Sequence, residues 1–279
     1  MGNKLSFLNK VVLITGGGRG IGLATAIAFR KLGAKVAIGD IDLELAQQAA
    51  IKVQGFGGYL DVRVQNSFHE FIEQIEKAIG PVDILVNNAG IMPMGAMIDE
   101  SPAITDAQID INLRGVIHGM KAVLPKMLQR QTGHIVNVAS LAGKYPIPGA
   151  SIYCATKFAV VGLTASMQQE LRDTPIGVSA VLPSKVLTEL SSGTGDSLPI
   201  PTVEPQDVAN AIIKAVAHNL AEIAVPNYLT HTPKAYGLVP HWLNTGFRKF
   251  IGDDRILKGL DQNDRKSYTQ RLNQLAQSK

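Results

Sequence analysis

Tyr153 and Lys157 stand four residues apart in SIYCATKF, a spacing that on a helix puts both side chains on one face, one turn apart. A free phenol keeps its proton up to a pH of about 10. A neighbouring ammonium favours the phenolate, so the pair suits proton exchange with a bound alcohol or carbonyl. Ser140 closes the apolar run HIVNVAS, where its hydroxyl would meet a substrate oxygen at the carboxyl edge of a sheet and steady its charge. A second chemical signature lies near the N-terminus. TGGGRGIG, residues 15–22, follows the apolar run VVLI and opens an amphipathic segment. Gly16, Gly20 and Gly22 would let the main chain turn and approach a pyrophosphate, whose charge the helix N-terminus meets. Gly18, Arg19 and Ile21 complete this contact set; Arg19 could bind the pyrophosphate, favour a 2′-phosphate or point into water. Asp40 ends VAIGD, where a carboxylate can accept both adenosine ribose hydroxyls and repel a 2′-phosphate. That predicts NAD(H), with Ile41 beside it in the same set. Asp42 competes for the role, and either acid could instead cap a helix or a turn.

These groups need elements to hold them. Apolar runs alternate with amphipathic stretches: strands at 11–14, 36–39 and FGGYL, a helix from about Ser67 to Ile79, and a strand at 82–86. A long helical tract from about Ile104 to Arg130, the strand HIVNVAS and a helix from about Ser151 to Arg172 follow. IGVSAVLP, an irregular stretch 184–205, a helix from about Gln206 to His218 and EIAVPNY complete the pattern. Short apolar strands separated by helices predict an α/β, doubly wound, mainly parallel sheet of seven strands with helices on both faces. One domain spanning 1–279 is expected, with 227–279, where Pro, aromatic and basic residues gather, as a C-terminal extension.

TGxxxGxG, the later Asn87-Asn88-Ala89-Gly90 and YxxxK, in this order, resemble the short-chain dehydrogenase/reductase family over roughly the first 225 residues. The resemblance implies a Rossmann-type domain carrying both cofactor and catalyst. It adds Asn112, in INLRG, as a fourth active-site residue with Ser140, Tyr153 and Lys157, at a local break in helical bonding that holds a proton-relaying water. It implies that Lys157 reaches ribose hydroxyls, that Asp61 and Val62 meet the adenine, and that Asn88, Ala89 and Gly90 brace the sheet beside the cofactor. From the residues alone, Asp61 could be a strand-end cap, and Asn87, Asn88 and Gly90 could serve structure only. The implied reaction passes a hydride between substrate carbon and nicotinamide while Tyr153 takes or gives the proton. The chain departs from the family where Ser184 follows Pro183 in place of a glycine; Val186 and Thr188 remain expected cofactor contacts. Residues 189–202 are expected to form a lid.

Composition narrows the reading. Of 279 residues, 46% are hydrophobic and 18% charged, and a net charge of +4 spread along the chain gives no nucleic-acid footprint. A single cysteine, Cys154, and a start without a signal peptide's apolar core predict a reducing, cytoplasmic setting. No run predicts a membrane span, so any membrane contact would be peripheral; the extension could cover a substrate cleft, pack on a neighbouring subunit or touch a membrane surface, and packing is the expectation. His118, His134 and His218 lack metal-ligand spacing, so no metal is expected. Ile91, Met92, Pro93, Met94, Leu141, Ala142 and Tyr145 are expected to line an apolar cleft for a lipophilic alcohol or ketone such as a steroid, retinoid or fatty-chain compound. A homodimer or homotetramer is implied. The alternatives are an NADPH-dependent 3-oxoacyl-thioester reductase, which Asp40 disfavours, and a non-catalytic dinucleotide sensor, which the intact Tyr153 and Lys157 disfavour.

Overall fold

The computed structural model describes residues 6–194, 201–230 and 260–277. Its strands are β1 (Val11–Thr15), β2 (Lys35–Asp40), β3 (Phe56–Tyr59), β4 (Ile84–Asn87), β5 (Gly133–Val138), β6 (Ile176–Pro183) and β7 (Glu222–Val225). They join in the order β3-β2-β1-β4-β5-β6-β7, and every pairing is parallel. Successive side chains of a strand point to opposite faces, so a sheet covered on both sides needs apolar residues at every position. β1 meets that demand: Val11 and Leu13 enter one core, Val12 and Ile14 the other, all at most 2% exposed.

The helices are α1 (Gly20–Lys31), α2 (Leu43–Val53), α3 (Gln65–Ala78), α4 (Pro102–Ile109), α5 (Gly115–Arg130), α6 (Ser151–Glu170), α7 (Pro205–Ala217) and α8 (Gln262–Gln277). Phe29 of α1, Ala49 of α2 and Ile212 of α7 pack on the face of Val12 and Ile14. Phe68 of α3, Val123 of α5 and Val160 of α6 pack on the other. This is the doubly wound arrangement that the alternation predicts. The strand order reverses between β1 and β4, opening the crevice at the carboxyl ends where such sheets bind ligands.

The long helical tract to Arg130 contains a π-helical turn, Asp110–Arg114, between α4 and α5, where the family resemblance implies a break in helical bonding at Asn112. Residues 195–200 of the expected lid and 231–259 of the C-terminal extension lie outside the described residues. The end of that extension forms α8, which buries Tyr268 and Leu272 in the core shared with α3 and α5.

Candidate active site

The glycine turn joins β1 to α1 with Gly16 at φ +61° and Gly20 at φ +52°, a region that side chains with a Cβ rarely adopt. Gly22 sits beneath the turn, where an added Cβ would come within 2.4 Å of the Gly16 carbonyl oxygen. Arg19 occupies the N-cap position of α1 without a side-chain cap, and no acid lies in the first turn. The helix therefore presents free N–H groups and positive dipole to whatever lies above it.

A groove of about 520 Å³ runs along these elements. Gly16, Arg19, Gly20 and Ile21 form its middle, Asp40, Ile41, Asp61 and Val62 one end, and Asn88, Ala89 and Gly90 its floor with Thr188 on the far lip. Asp40 is 7% exposed; its Oδ2 accepts the Gly18 N–H at 3.0 Å and its Oδ1 the Asp42 N–H at 3.2 Å. Asp42 caps α2 by accepting the Leu45 N–H at 3.1 Å. Asp42 thus has the capping role, while Asp40 lines the groove. Asp61 accepts both Nε and Nη2 of Arg63, the latter at 2.7 Å. Asn88 Nδ2 donates to the carbonyls of Thr15 and Gly16 at 2.9 and 3.0 Å, bracing the glycine turn. Arg19 does not stand alone: its guanidinium, partly open to solvent, pairs with Glu189 at 3.0 Å.

At the other end the groove meets a smaller pocket of about 170 Å³ that holds Ser140, Tyr153 and Lys157 together. Ser140 follows β5; its Oγ accepts the Ala142 N–H at 3.1 Å. Tyr153 and Lys157 share a face of α6, 7% and 5% exposed. Lys157 Nζ donates to the Val138 carbonyl at 2.9 Å and lies 5.6 Å from the centre of the Tyr153 ring.

The electrostatics differ from the sequence expectation. Burial pushes the Tyr153 phenol well above its ordinary value, a hydrogen bond with Ser140 pulls it partly back, and Tyr268 and Cys154 push it up again. Burial also pulls Lys157 down to about 8. Desolvation disfavours the charged form of each, so the protein by itself holds a protonated phenol beside a weakly held ammonium.

Asn112 lies in the π-helical turn, fully buried. Its Oδ1 accepts the Ile91 N–H at 2.8 Å, and its Nδ2 donates to the Ile91 carbonyl at 2.9 Å and to Thr156 Oγ1 at 3.3 Å. A Cβ built on Gly90 would lie 3.2 Å from Asn112 Oδ1 and 3.8 Å from Lys157 Nζ, so the three converge behind the pocket wall. Gly18 and Gly22 shape the turn from below, and Val186 lines the smaller pocket.

Met92, Met94, Leu141 and Ala142 line that pocket as the sequence suggests, together with Ile147, Ala150 and Leu190. Ile91 lines the groove instead, with its backbone N–H held by Asn112. Tyr145 packs on the core instead. Ser184 lines the smaller pocket, and its hydroxyl donates to the Pro201 carbonyl at 2.8 Å. The sequence places Glu189 only at the start of the expected lid and does not single out the α8 residues Tyr268, Arg271, Leu272 and Leu275; all five close the outer side of the groove. Tyr268, Leu272 and Leu275 recur at helical spacing in a polar stretch, and that stripe was the signal available. Among the described residues no cluster of three His, Cys, Asp or Glu side chains gathers to hold a metal.

The model of the short chain dehydrogenase family matches residues 10–198. The chain belongs to the short-chain dehydrogenase/reductase family. Within that family it is 34% identical over 233 residues to 17-beta-hydroxysteroid dehydrogenase 13 of Rattus norvegicus, covering 80% of this chain and 77% of the relative. It is 38% identical over 221 residues to 2-(S)-hydroxypropyl-CoM dehydrogenase 3 of Xanthobacter autotrophicus, covering 77% and 84%. A 3-oxoacyl-(acyl-carrier-protein) reductase of Thermotoga maritima is 37% identical over 187 residues, covering 65% and 76%. The crystal structure of a short-chain dehydrogenase/reductase from Burkholderia phymatum in complex with NAD superposes with a TM-score of 0.76 at 26% identity, covering 82% of this chain and 93% of that one. As a family member, this chain is an oxidoreductase acting on CH–OH groups.

Proposed function

We propose that this chain is an NAD(H)-dependent oxidoreductase interconverting a lipophilic alcohol and its ketone or aldehyde, with Tyr153 as the acid/base. The observation that carries the reading is the meeting of two sites: Tyr153, Ser140 and Lys157 enclosed in an apolar pocket that opens onto the groove ending at Asp40.

The groove fits the cofactor. Gly16 and Gly20 clear the space that a Cβ would fill beside a pyrophosphate, and α1 offers unpaired N–H groups to it. Asp40 would accept the adenosine ribose hydroxyls and repel a 2′-phosphate, which favours NAD(H) over NADP(H). Asp61 and Val62 would border the adenine, Asn88, Ala89 and Gly90 the ribose floor, and Val186 and Thr188 the amide and phosphates. When bound, the nicotinamide supplies the hydride chemistry.

The residues of the chain handle the proton and the orientation. Ser140 holds the substrate oxygen beside the Tyr153 hydroxyl. Tyr153, a phenol already protonated at neutral pH and held more firmly so by burial, gives its proton to the developing alkoxide in reduction and takes it back in oxidation. Lys157, on the same helix face, reaches the ribose and stabilises phenolate as it forms. Asn112 keeps the Ile91 backbone and the π-helical turn in register, leaving a route for proton exchange behind Lys157.

The pocket of about 170 Å³ is below the roughly 300–1,000 Å³ that encloses a drug-sized ligand. It seats the reacting end of a longer molecule, so a fatty-chain alcohol or ketone fits better than a wholly enclosed steroid or retinoid. This reading takes residues 1–279 as one catalytic domain with 227–279 as an extension, in a reducing compartment where the buried Cys154 stays free. Self-association through α5 and α6 would cover Phe158, which is 43% exposed. No helix among the described residues is long and apolar enough to cross a membrane.

The test is a turnover screen of medium- and long-chain secondary alcohols and ketones, monitored as NADH absorbance, with Tyr153→Phe in parallel. The expected result is turnover on at least one apolar substrate, reduced by about 10²- to 10⁴-fold in Tyr153→Phe, with NADH affinity changed only a few-fold. NADH binding without turnover on any substrate would favour a dinucleotide sensor. Undiminished turnover in Tyr153→Phe would overturn the assigned role.

A further inference from the structure

The C-terminal helix α8 lies across the mouth of the groove and is tied to both of its lips. On one lip, Arg265 Nη2 donates to the Met92 carbonyl at 2.8 Å, and the Met92 N–H donates to the Tyr268 hydroxyl at 2.8 Å. On the other, Arg265 Nη1 donates to the Ser192 carbonyl at 2.8 Å, and Arg271 pairs with Glu189. At the adenosine end, Arg63 Nη1 donates to the Leu275 carbonyl at 2.9 Å. Tyr268 and Leu272, 6% and 4% exposed, are inserted instead of resting on the surface.

Two features give this helix a chemical role. The first is charge. Glu189 is shared by Arg19 and Arg271, one carboxylate against two guanidiniums, and all three line the groove. Burial works to raise Glu189, but the two arginines outweigh it and hold the carboxyl below its usual range. Within this trio one positive charge remains in excess, and Thr188, the residue before Glu189, would lie 3.2 Å from a Cβ added to Gly20 at the start of α1. The second is order. Along α8, Tyr268 stands at the Met92 end, Arg271 in the middle and Leu275 at the Asp61–Arg63 end. Tyr268 and Leu275 are about 10 Å apart along the helix axis. Ring, cation and aliphatic group therefore run parallel to the nicotinamide, pyrophosphate and adenosine of a dinucleotide lying on the glycine turn.

We infer that α8 is part of the cofactor site, a strap in which Arg271 joins Arg19 to bind the pyrophosphate while Tyr268, Leu272 and Leu275 cover the bound dinucleotide. The inference rests on the dinucleotide reading above and extends it to residues outside the family's match. In the absence of phosphates Glu189 holds the two cations at the site; the pyrophosphate then takes over from the carboxylate as their partner. A charge-assisted contact to phosphate is among the strong ones.

The experiment is a fluorescence titration of the full chain with NADH, and a calorimetric titration with ADP-ribose, comparing wild type, Arg271→Met and Arg271→Lys. Arg271→Met should weaken both ligands by about 10-fold or more and flatten the salt dependence of binding, with Arg271→Lys partly restoring both. Partial trypsin digestion supplies an independent reading at Arg265, Lys266 and Arg271: NADH should slow cleavage of α8 in wild type. Unchanged or tighter binding by Arg271→Met, or faster cleavage with NADH, would overturn the strap and identify α8 as a plug that the cofactor displaces. Wild type binding neither NADH, NADPH nor ADP-ribose would overturn the dinucleotide reading itself, and the strap with it.

Discussion

Tyr153 illustrates what a side chain's neighbours do that its spacing does not reveal. The YxxxK interval places the phenol and the amine on one helix face, and the structure brings them together with Ser140 at the pocket floor. The expected lowering of the phenol is absent because both groups are desolvated by burial, Tyr153 in a cluster with Ala142, Ala150, Cys154 and the distant Met92 and Met94, which no local motif encodes. Asp40 and Asp42 were indistinguishable as two nearby acids until the start of α2 assigned the cap to Asp42. A buried histidine offers a check on the same physics. His134 sits in β5 with Nε2 2.8 Å from Ser179 Oγ, and burial pulls its pKa from 6.5 to about 4. Its folded value is lower than its unfolded one, so the stability it contributes is fully present above pH 6.5 and is lost as the pH falls through about 4. The slope in that window is roughly 1.4 kcal/mol per pH unit. Denaturant melts between pH 7 and 4 should show this acid limb in wild type and a shallower one in His134→Gln. Equal slopes would contradict the assignment.

At the level of elements, the strand–glycine–helix unit was legible because its demands are local: a turn with positive φ at Gly16 and Gly20 and a close approach at Gly22. Gly22→Ala should therefore lower stability by roughly 1–3 kcal/mol and weaken NADH binding, since the methyl group meets the Gly16 carbonyl oxygen at 2.4 Å and Asn88 Nδ2 at 2.8 Å. A thermal melt paired with an NADH titration checks both, and a variant matching wild type in each would contradict the packing account. Two elements were less legible. The π-helical turn at Asp110–Arg114 has no periodicity of its own, because one inserted residue inside an amphipathic helix barely disturbs the apolar pattern; only the family resemblance implied a break there. In α8, polar residues dominate, and only the contacts of Arg265, Tyr268 and Arg271 with Met92, Ser192 and Glu189 show that it borders the groove. Those partners lie more than 70 residues away in the chain, beyond any window over which a motif is read.

Across the whole molecule, the fully apolar strands such as VVLI and the recurrence of helices between them announced the doubly wound sheet, since parallel crossovers require cover on both faces. The strand order then follows from right-handed crossovers that place the switch point beside β1, next to the glycine turn. What the alternation could not specify is how the chain beyond β7 returns to the site. Its end folds back over the carboxyl edge, so the groove is enclosed by parts of the chain near both termini, from Gly16 to Leu275. The central claim, a dinucleotide site whose Asp40 selects NAD(H), is tested most directly by titrating the full chain with NADH and NADPH, alongside Asp40→Asn. The account predicts that wild type binds NADH at least 10-fold more tightly than NADPH, since a 2′-phosphate meets a carboxylate, and that Asp40→Asn narrows the gap by admitting NADPH. A wild-type preference for NADPH, or binding of neither, would contradict it.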